Sequence, residues 1–274
     1  NNQTKEQAYE KLRRMYDGYH FSENTVGMYN PFSVLLTLSD NRYDDYWFAT
    51  GTPTYLVELL KKTDFHLEDL ADVEVDVDTL DGIHRADINP VPVLFQSGYL
   101  TIKDFDKRFK VYTLGFPNDE VRYGFLNFLV PFYTPITDDK KNFYIGRFIR
   151  ELENGDVDAF MQRFEAFFAD FPYELNDKTE RHYQVVVYLI FKLMGQFTQA
   201  EVRSAKGRAD AIVQTPNYVY VFEFKLNGTA EEALLQINEQ GYAKPFMADT
   251  RKVVKIGVEF SAETRNVKRW LLEE

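Results

Sequence analysis

The chain has no cysteine among its 274 residues, which excludes disulfides and thiolate-ligated zinc. Its four histidines, His20, His66, His84 and His182, lack the spacing of metal ligands and read as structural or surface residues. No apolar run approaches the ~20 residues that a membrane-spanning helix needs. The polar first residues do not read as a signal peptide, so a cytoplasmic location is the default expectation. No segment fits Gly-x-x-x-x-Gly-Lys-Ser/Thr, and with no such loop to cradle nucleotide phosphates, nucleotide hydrolysis is not assigned to these residues. A positive balance is missing too, the net charge being −11. Residues 173–274 hold 14 acids and 14 Lys or Arg, so the whole excess of negative charge lies in 1–172.

Aromatic residues, by contrast, are abundant at 16%, and hydrophobic residues reach 45%. That is the composition of a folded chain, and its length suggests about two domains. The most informative stretch comprises two strand-like runs, Gly207–Gln214 and Tyr218–Leu226, separated by Thr215-Pro216-Asn217. Side chains alternate along a strand, so Glu223 and Lys225 share a face with Val219 and Val221, while Phe222 and Phe224 point the other way. If Pro216 and Asn217 are the central turn residues, antiparallel pairing sets Asp210 opposite Glu223. Proline is unusual at the first position of a two-residue hairpin turn, and a slip of one residue would separate the acids.

Opposed acids on one sheet face, with Cβ atoms about 5 Å apart, repel each other. At an effective dielectric near 20 the repulsion is on the order of 3 kcal/mol. A hard divalent cation such as Mg²⁺ or Mn²⁺ would offset it, since such ions take carboxylate oxygens. It would also lower the pKa of a bound water, with the lysine beside it to orient a nucleophile or neutralise phosphate oxygens. An acid facing an acid and a lysine is therefore the constellation of a metal-dependent phosphodiesterase. The bland alternative is a charged, solvated hairpin face.

The neighbouring pattern is of α/β type. Val185, Val186, Leu189, Ile190 and Leu193 form a helical stripe over Glu180–Gly195. Phe197–Ser204 alternates like a strand, and the two runs above follow. Thr229-Ala-Glu-Glu232 is a capping box opening a helix through Ile237 to Gly241, and Val253–Phe260 reads as a last strand. The order is αβββαβ, a sheet backed by helices.

This order, with Asp210 and then Glu223-Phe-Lys225, resembles the PD-(D/E)xK nuclease superfamily, which includes restriction endonucleases and Holliday-junction resolvases. Gly207-Arg-Ala-Asp210 through Leu226, followed by Gln236-Ile and Gly241-Tyr242, is similar to the nuclease-like domain attached to a group of bacterial AAA-ATPase-like proteins. The resemblance implies that Asp210 and Glu223 hold Mg²⁺ or Mn²⁺ with the Phe224 carbonyl, and that Lys225 positions the attacking water. Glu180 matches the superfamily's accessory acid, and Gln236 matches a polar position on the second helix of some subgroups. Ala209 replaces the usual proline. Nucleic acid, most readily DNA, is the implied partner, and because members that cut both strands often pair, a homodimer is an expectation. Residues 173–274, neutral as a whole, still carry Lys178, Arg181, Arg203, Lys206, Arg208, Lys244, Arg251 and Lys252, and a local cluster of these is expected to supply phosphate contacts.

Four upstream strings, Tyr16–Phe21, Tyr29–Phe32, Tyr46–Pro53 and Leu94–Thr101, look like the C-terminal part of the AAA-ATPase-like region of the same proteins. The expectation is that a P-loop portion, which would bind ATP, precedes Asn1. Three regions are expected: 1–75, helical; 76–172, with a hairpin and connecting helices; and 173–274, restriction-endonuclease-like. Thr52 with Pro53 reads as a helix start, and the acid-rich 64–87 as linker or solvated surface. The hairpin of residues 98–103 and 109–114, with helices on either side, admits two readings. One is a winged-helix-like unit presenting Lys103, Lys107, Arg108 and Lys110 to phosphates; the other is a packing element between domains. Phe160, Phe164, Phe167 and Phe168 read as core. A non-catalytic interaction module on a nuclease-like scaffold stands as the alternative to a nuclease.

Overall fold

The computed structural model describes residues 4–50, 54–63, 65, 67–80, 82, 89–136, 141–169, 180–195, 197–202, 210–226, 228–261 and 263–274. It does not describe the side chains of 49, 50, 68, 71, 141–143, 180–182, 184, 201 and 202. Thr52 and Pro53 lie outside the described residues. The chain forms two compact units, Asn1–Phe128 and Leu129–Glu274.

The first unit contains α1 (Lys5–Tyr16), α2 (Pro31–Asp40), α3 (Thr54–Lys62), β1 (Val73–Asp76), α4 (Val77–Leu80), α5 (Val91–Gln96), β2 (Thr101–Asp106), β3 (Val111–Gly115) and the start of α6 (Asp119–Tyr133). Thr4 opens α1 with a capping box to Gln7. Asn30 opens α2, its Oδ1 accepting from the amides of Phe32 and Ser33. The strands form an antiparallel sheet in the order β1-β3-β2.

Within the acid-rich stretch expected as linker, Val73 and Val75 are buried and pair through β1 with β3. The alternation Val-Glu-Val-Asp, apolar inward and acid outward, is what makes that strand. The hairpin therefore belongs to a three-stranded sheet. Lys103 directs its ammonium at the Pro117 carbonyl, 3.3 Å away, which removes it from the proposed phosphate-facing set.

The second unit contains α7 (Lys141–Glu153), α8 (Val157–Ala169), α9 (Glu180–Met194), β4 (Gln199–Val202), β5 (Ala211–Gln214), β6 (Tyr218–Lys225), α10 (Ala230–Gln240), β7 (Lys252–Ser261) and β8 (Asn266–Glu273). The sheet order is β4-β5-β6-β7-β8, with β6 and β7 parallel and the other neighbours antiparallel. One face of β6 carries Tyr220, Phe222 and Phe224. Phe160 of α8 and Phe191 of α9 pack on Phe222, with ring centroids 5.6 and 5.1 Å apart, and Phe164 packs on Phe224 at 6.4 Å. Such pairs add roughly 0.5–1.5 kcal/mol each beyond their area burial. They make α8 a layer of this sheet.

The opposite face of β6 receives α10. Ile237 of α10 and Tyr242 pack against Val221 in a buried apolar cluster. Gly257 on β7 permits the approach, since a Cβ there would lie 2.3 Å from the Ala230 carbonyl oxygen. Helix α10 starts with the Thr229–Glu232 capping box and ends at Gly241. Strand β8, beyond the last strand expected from sequence, pairs with β7.

Candidate active site

The site begins with a turn. Thr215 and Tyr218 close it: the Thr215 amide donates to the Tyr218 carbonyl at 2.8 Å, and the Tyr218 amide to Thr215 Oγ1 at 3.1 Å. Pro216 and Asn217 form the two-residue loop, and neither has a positive φ, so it is not the mirror-image turn usual in hairpins. Arg251 braces it, donating to Gln214 Oε1 at 2.8 Å and to the Thr215 carbonyl at 3.3 Å, while its guanidinium is held by Asp249. The Asn217 carbonyl accepts from the Lys252 amide at 3.0 Å.

This turn fixes the register. Ala211 pairs with Phe222, Ile212 with Val221, Val213 with Tyr220 and Gln214 with Val219. Asp210 immediately precedes β5, and the same register carries it to Glu223. Its Oδ2 accepts from the Phe224 amide at 2.9 Å, which ties Asp210 to the site strand.

Glu223 is 2% exposed. Its Oε1 accepts from Lys225 Nζ at 3.1 Å, and among the described residues its Oε2 is buried without a partner. Burial, and then the charge of Asp210, push its pKa up to about 7. Burial also raises the pKa of Asp210, against the lowering effect of the Phe224 amide and Lys225. The two acids thus lie in one electrostatic field, each discouraged from ionising.

Lys225 Nζ also donates to Gln236 Oε1 at 2.5 Å, and Gln236 Nε2 donates to the Tyr242 hydroxyl at 3.2 Å. A relay runs from Glu223 through Lys225 and Gln236 to Tyr242. Lysine has donors only, so the amide must turn its oxygen to Lys225. The tyrosine then holds the other end. The part of Tyr242 was not foreseen, because it lies just past the C-cap of α10 and its reach to Gln236 depends on how the chain turns there.

The other sequence-derived residues fare differently. Glu180 is the first residue of α9, but its side chain lies outside the described residues. So do Lys178, Arg203, Lys206 and Arg208, and the side chain of Arg181, which were expected near phosphate. Arg251 and Lys252, from the same expectation, are committed to Asp249 and to Glu274. Glu259 pairs in register with Lys225 across β6 and β7, but Lys268 Nζ donates to it at 2.5 Å and holds its pKa below the usual carboxylate value.

Among the described residues, no group of three or more His, Cys, Asp or Glu converges on one point. What converges is a pair of acids plus a lysine. A buried carboxylate oxygen without a donor, beside a second acid, is the environment a hard cation stabilises, and carboxylate oxygens are its preferred ligands. The donor set therefore fits Mg²⁺ or Mn²⁺.

Residues 178–270 match the sequence model of the PD-(D/E)XK nuclease superfamily. The chain is also similar to a protein of Azotobacter chroococcum mcd 1 described as an uncharacterized protein in the vnfD 5' region, at 32% identity over 273 residues, covering 96% of this chain and 52% of that protein. The chain thus spans about half the length of the curated relative it matches. No solved structure matches.

Proposed function

We propose, from the premise of a PD-(D/E)XK nuclease superfamily domain at residues 178–270, that this protein hydrolyses phosphodiester bonds of nucleic acid, with DNA the favoured substrate. The observation that carries the reading is the buried, unpartnered Oε2 of Glu223 in the field of Asp210, with Lys225 on the same strand face. A bare scaffold has no reason to retain such an arrangement, because a buried unsatisfied charged group costs at least about 1–3 kcal/mol.

Asp210 and Glu223 would hold Mg²⁺ or Mn²⁺, with Glu180 a candidate third acid. The ion would supply Lewis acidity toward the phosphate and a more acidic water. The chain's own residues do the rest. Without metal Glu223 is poised near neutrality, so protons compete with the cation for it and metal binding should weaken as the pH falls below about 7. Lys225 keeps an ammonium over the site, and when Glu223 turns to a cation, Gln236 remains as its anchor. Fixed positive charge aimed at a reacting phosphate is often the largest catalytic contribution. In a longer polypeptide, an ATPase portion coupled to this domain would fit the upstream strings, and pairing of two copies would fit cleavage of both strands.

Calorimetric titration with Mn²⁺ and Mg²⁺ tests the premise. Wild type should bind one ion with proton release, and Asp210→Ala should lose that binding at least tenfold. Equal binding by both proteins, or none by wild type, would favour the interaction-module reading.

A further inference from the structure

The hairpin of β2 and β3 takes no part in the site above, and its tip, Lys107-Arg108-Phe109-Lys110, differs in charge from the unit that carries it. Residues 1–128 hold 21 acids against 13 Lys or Arg, yet three of those 13 cations fall within these four residues. All four side chains are exposed, Phe109 to 65%. Among the described residues, Lys107, Arg108 and Lys110 make no ion pair.

The acids around the tip are engaged locally. Asp104 Oδ1 accepts from the Phe105 amide at 2.8 Å, and Asp106 Oδ1 from the amides of Arg108 and Phe109 at 2.8 and 3.0 Å. Asp76, opposite Val111 on β1, accepts from the amide and hydroxyl of Thr79 at 2.7 and 2.8 Å. Glu23 accepts from the Tyr112 hydroxyl at 2.8 Å. Acids farther away are largely screened, since at 0.1 M salt the Debye length is only about 10 Å. The cations of the tip therefore stay available to an outside anion.

The tip is also built to hold its shape. Asp106 pairs with Val111 at its base, and the Phe105 and Tyr112 rings meet across the strands with centroids 4.5 Å apart. The Arg108 guanidinium rests 4.9 Å from the centroid of the Phe109 ring, so an aromatic face, and no carboxylate, keeps it in place. Lys110 has φ at +54°, in the left-handed region where a Cβ crowds the following carbonyl and Gly or Asn is the usual choice. A lysine kept at such a position adds charge where the backbone alone favours none, and outliers of this kind gather at functional sites.

We propose that this tip contacts the phosphate backbone of nucleic acid, with Lys107, Arg108 and Lys110 supplying the positive charge and Phe109 an apolar contact to the sugars or bases. The choice of nucleic acid among polyanions rests on the phosphodiesterase reading of the second unit. Contacts of this kind hold a nucleic acid without reading its sequence. They also make binding fall steeply with salt, because each neutralised phosphate releases counterions.

The test is fluorescence anisotropy of the full chain with a short labelled duplex and the matching single strand, in EDTA so that no cleavage intervenes. Salt is varied over roughly 50 to 200 mM, where the slope of log K against log salt counts phosphate contacts at about 0.9 each on a duplex and 0.7 on a single strand. Lys107→Gln/Arg108→Gln/Lys110→Gln should bind at least tenfold more weakly at the low end and lose about 2–3 from the slope. Lys5→Gln/Lys11→Gln/Lys62→Gln, which removes the same charge from α1 and α3, should stay within a few-fold of wild type. Lys110→Gly should unfold at no lower a urea concentration, since it relieves the left-handed backbone, yet bind several-fold more weakly. The arm with the larger loss of slope tells whether a duplex or a single strand is the form held. Equal losses in the two triple variants, Lys110→Gly binding as tightly as wild type, or tip-dependent binding that is tighter to phosphatidylglycerol vesicles or poly-glutamate than to either nucleic acid overturns the proposal. Metal-dependent cleavage by a protein whose nucleic-acid binding ignores the tip overturns this proposal alone. Tip-dependent binding without metal-dependent cleavage overturns the nuclease reading alone.

Discussion

Glu223 should make the second unit less stable as pH rises. Its folded pKa, about 7, stands above the ordinary 4.5, so the stability it contributes is fully present below the ordinary value and is lost as pH climbs through about 7. At about 1.4 kcal/mol per pKa unit, the loss is on the order of 3 kcal/mol. The side chain is 3% exposed, so little solvent screening reduces it. Burial of Asp210 acts in the same direction. The assay is urea unfolding between pH 4.5 and 8.5 with EDTA, followed at Trp270 in a Trp47→Phe background. Wild type should lose about 2–3 kcal/mol across that range, and Glu223→Gln only the smaller Asp210 share. Millimolar Mg²⁺ should restore much of the loss at pH 8, because binding to the ionised acids stabilises the folded state. Parallel pH profiles for the two proteins, or an Mg²⁺ effect that survives in Glu223→Gln, would refute the reasoning.

Three further outcomes follow from the geometry. Tyr242→Phe removes the acceptor for Gln236 Nε2 and should lower kcat about three- to tenfold with KM unchanged, since one neutral hydrogen bond is worth roughly 1 kcal/mol; steady-state kinetics checks it. Arg251→Met frees the Pro216–Asn217 turn and should cost about 1–2 kcal/mol, with broadened amide signals at Asp210 and Phe224 in NMR spectra if the register loosens. Gly257→Ala drives a methyl into the Ala230 carbonyl and should cost at least about 1–3 kcal/mol, seen as a lower urea midpoint for the second unit.

The hairpin register was legible in the sequence because a two-residue loop leaves a single antiparallel pairing, and Ala211 with Phe222 follows from it. The identity of the brace was not, since Arg251 reaches the turn from 36 residues away. Thr229 and Glu232 announced the start of α10, where a local motif is the whole cause. Strand β8 was missed for the opposite reason. It exposes Lys268 and Arg269 side by side along an edge, and charges that protect an edge strand also obscure its alternation. That α8 packs as a layer on the site's sheet was hidden because it depends on Phe160 and Phe164 finding Phe222 and Phe224, contacts between residues far apart in sequence. Strand β1 is legible in the alternation of Val73 and Val75, though the acids around them also fit a solvated linker.

Cleavage itself is the most direct test. Supercoiled, linear and branched DNA, together with a single-stranded RNA, would be incubated with Mg²⁺ or Mn²⁺ and wild-type or Lys225→Met protein, with metal binding measured in parallel. Metal-dependent cleavage by wild type is expected, reduced by orders of magnitude in Lys225→Met while metal affinity stays within a few-fold, because the lysine stabilises charge and ligates nothing. Wild-type protein that binds metal yet cuts none of these substrates, or a Lys225→Met variant that cuts as well as wild type, would contradict the account.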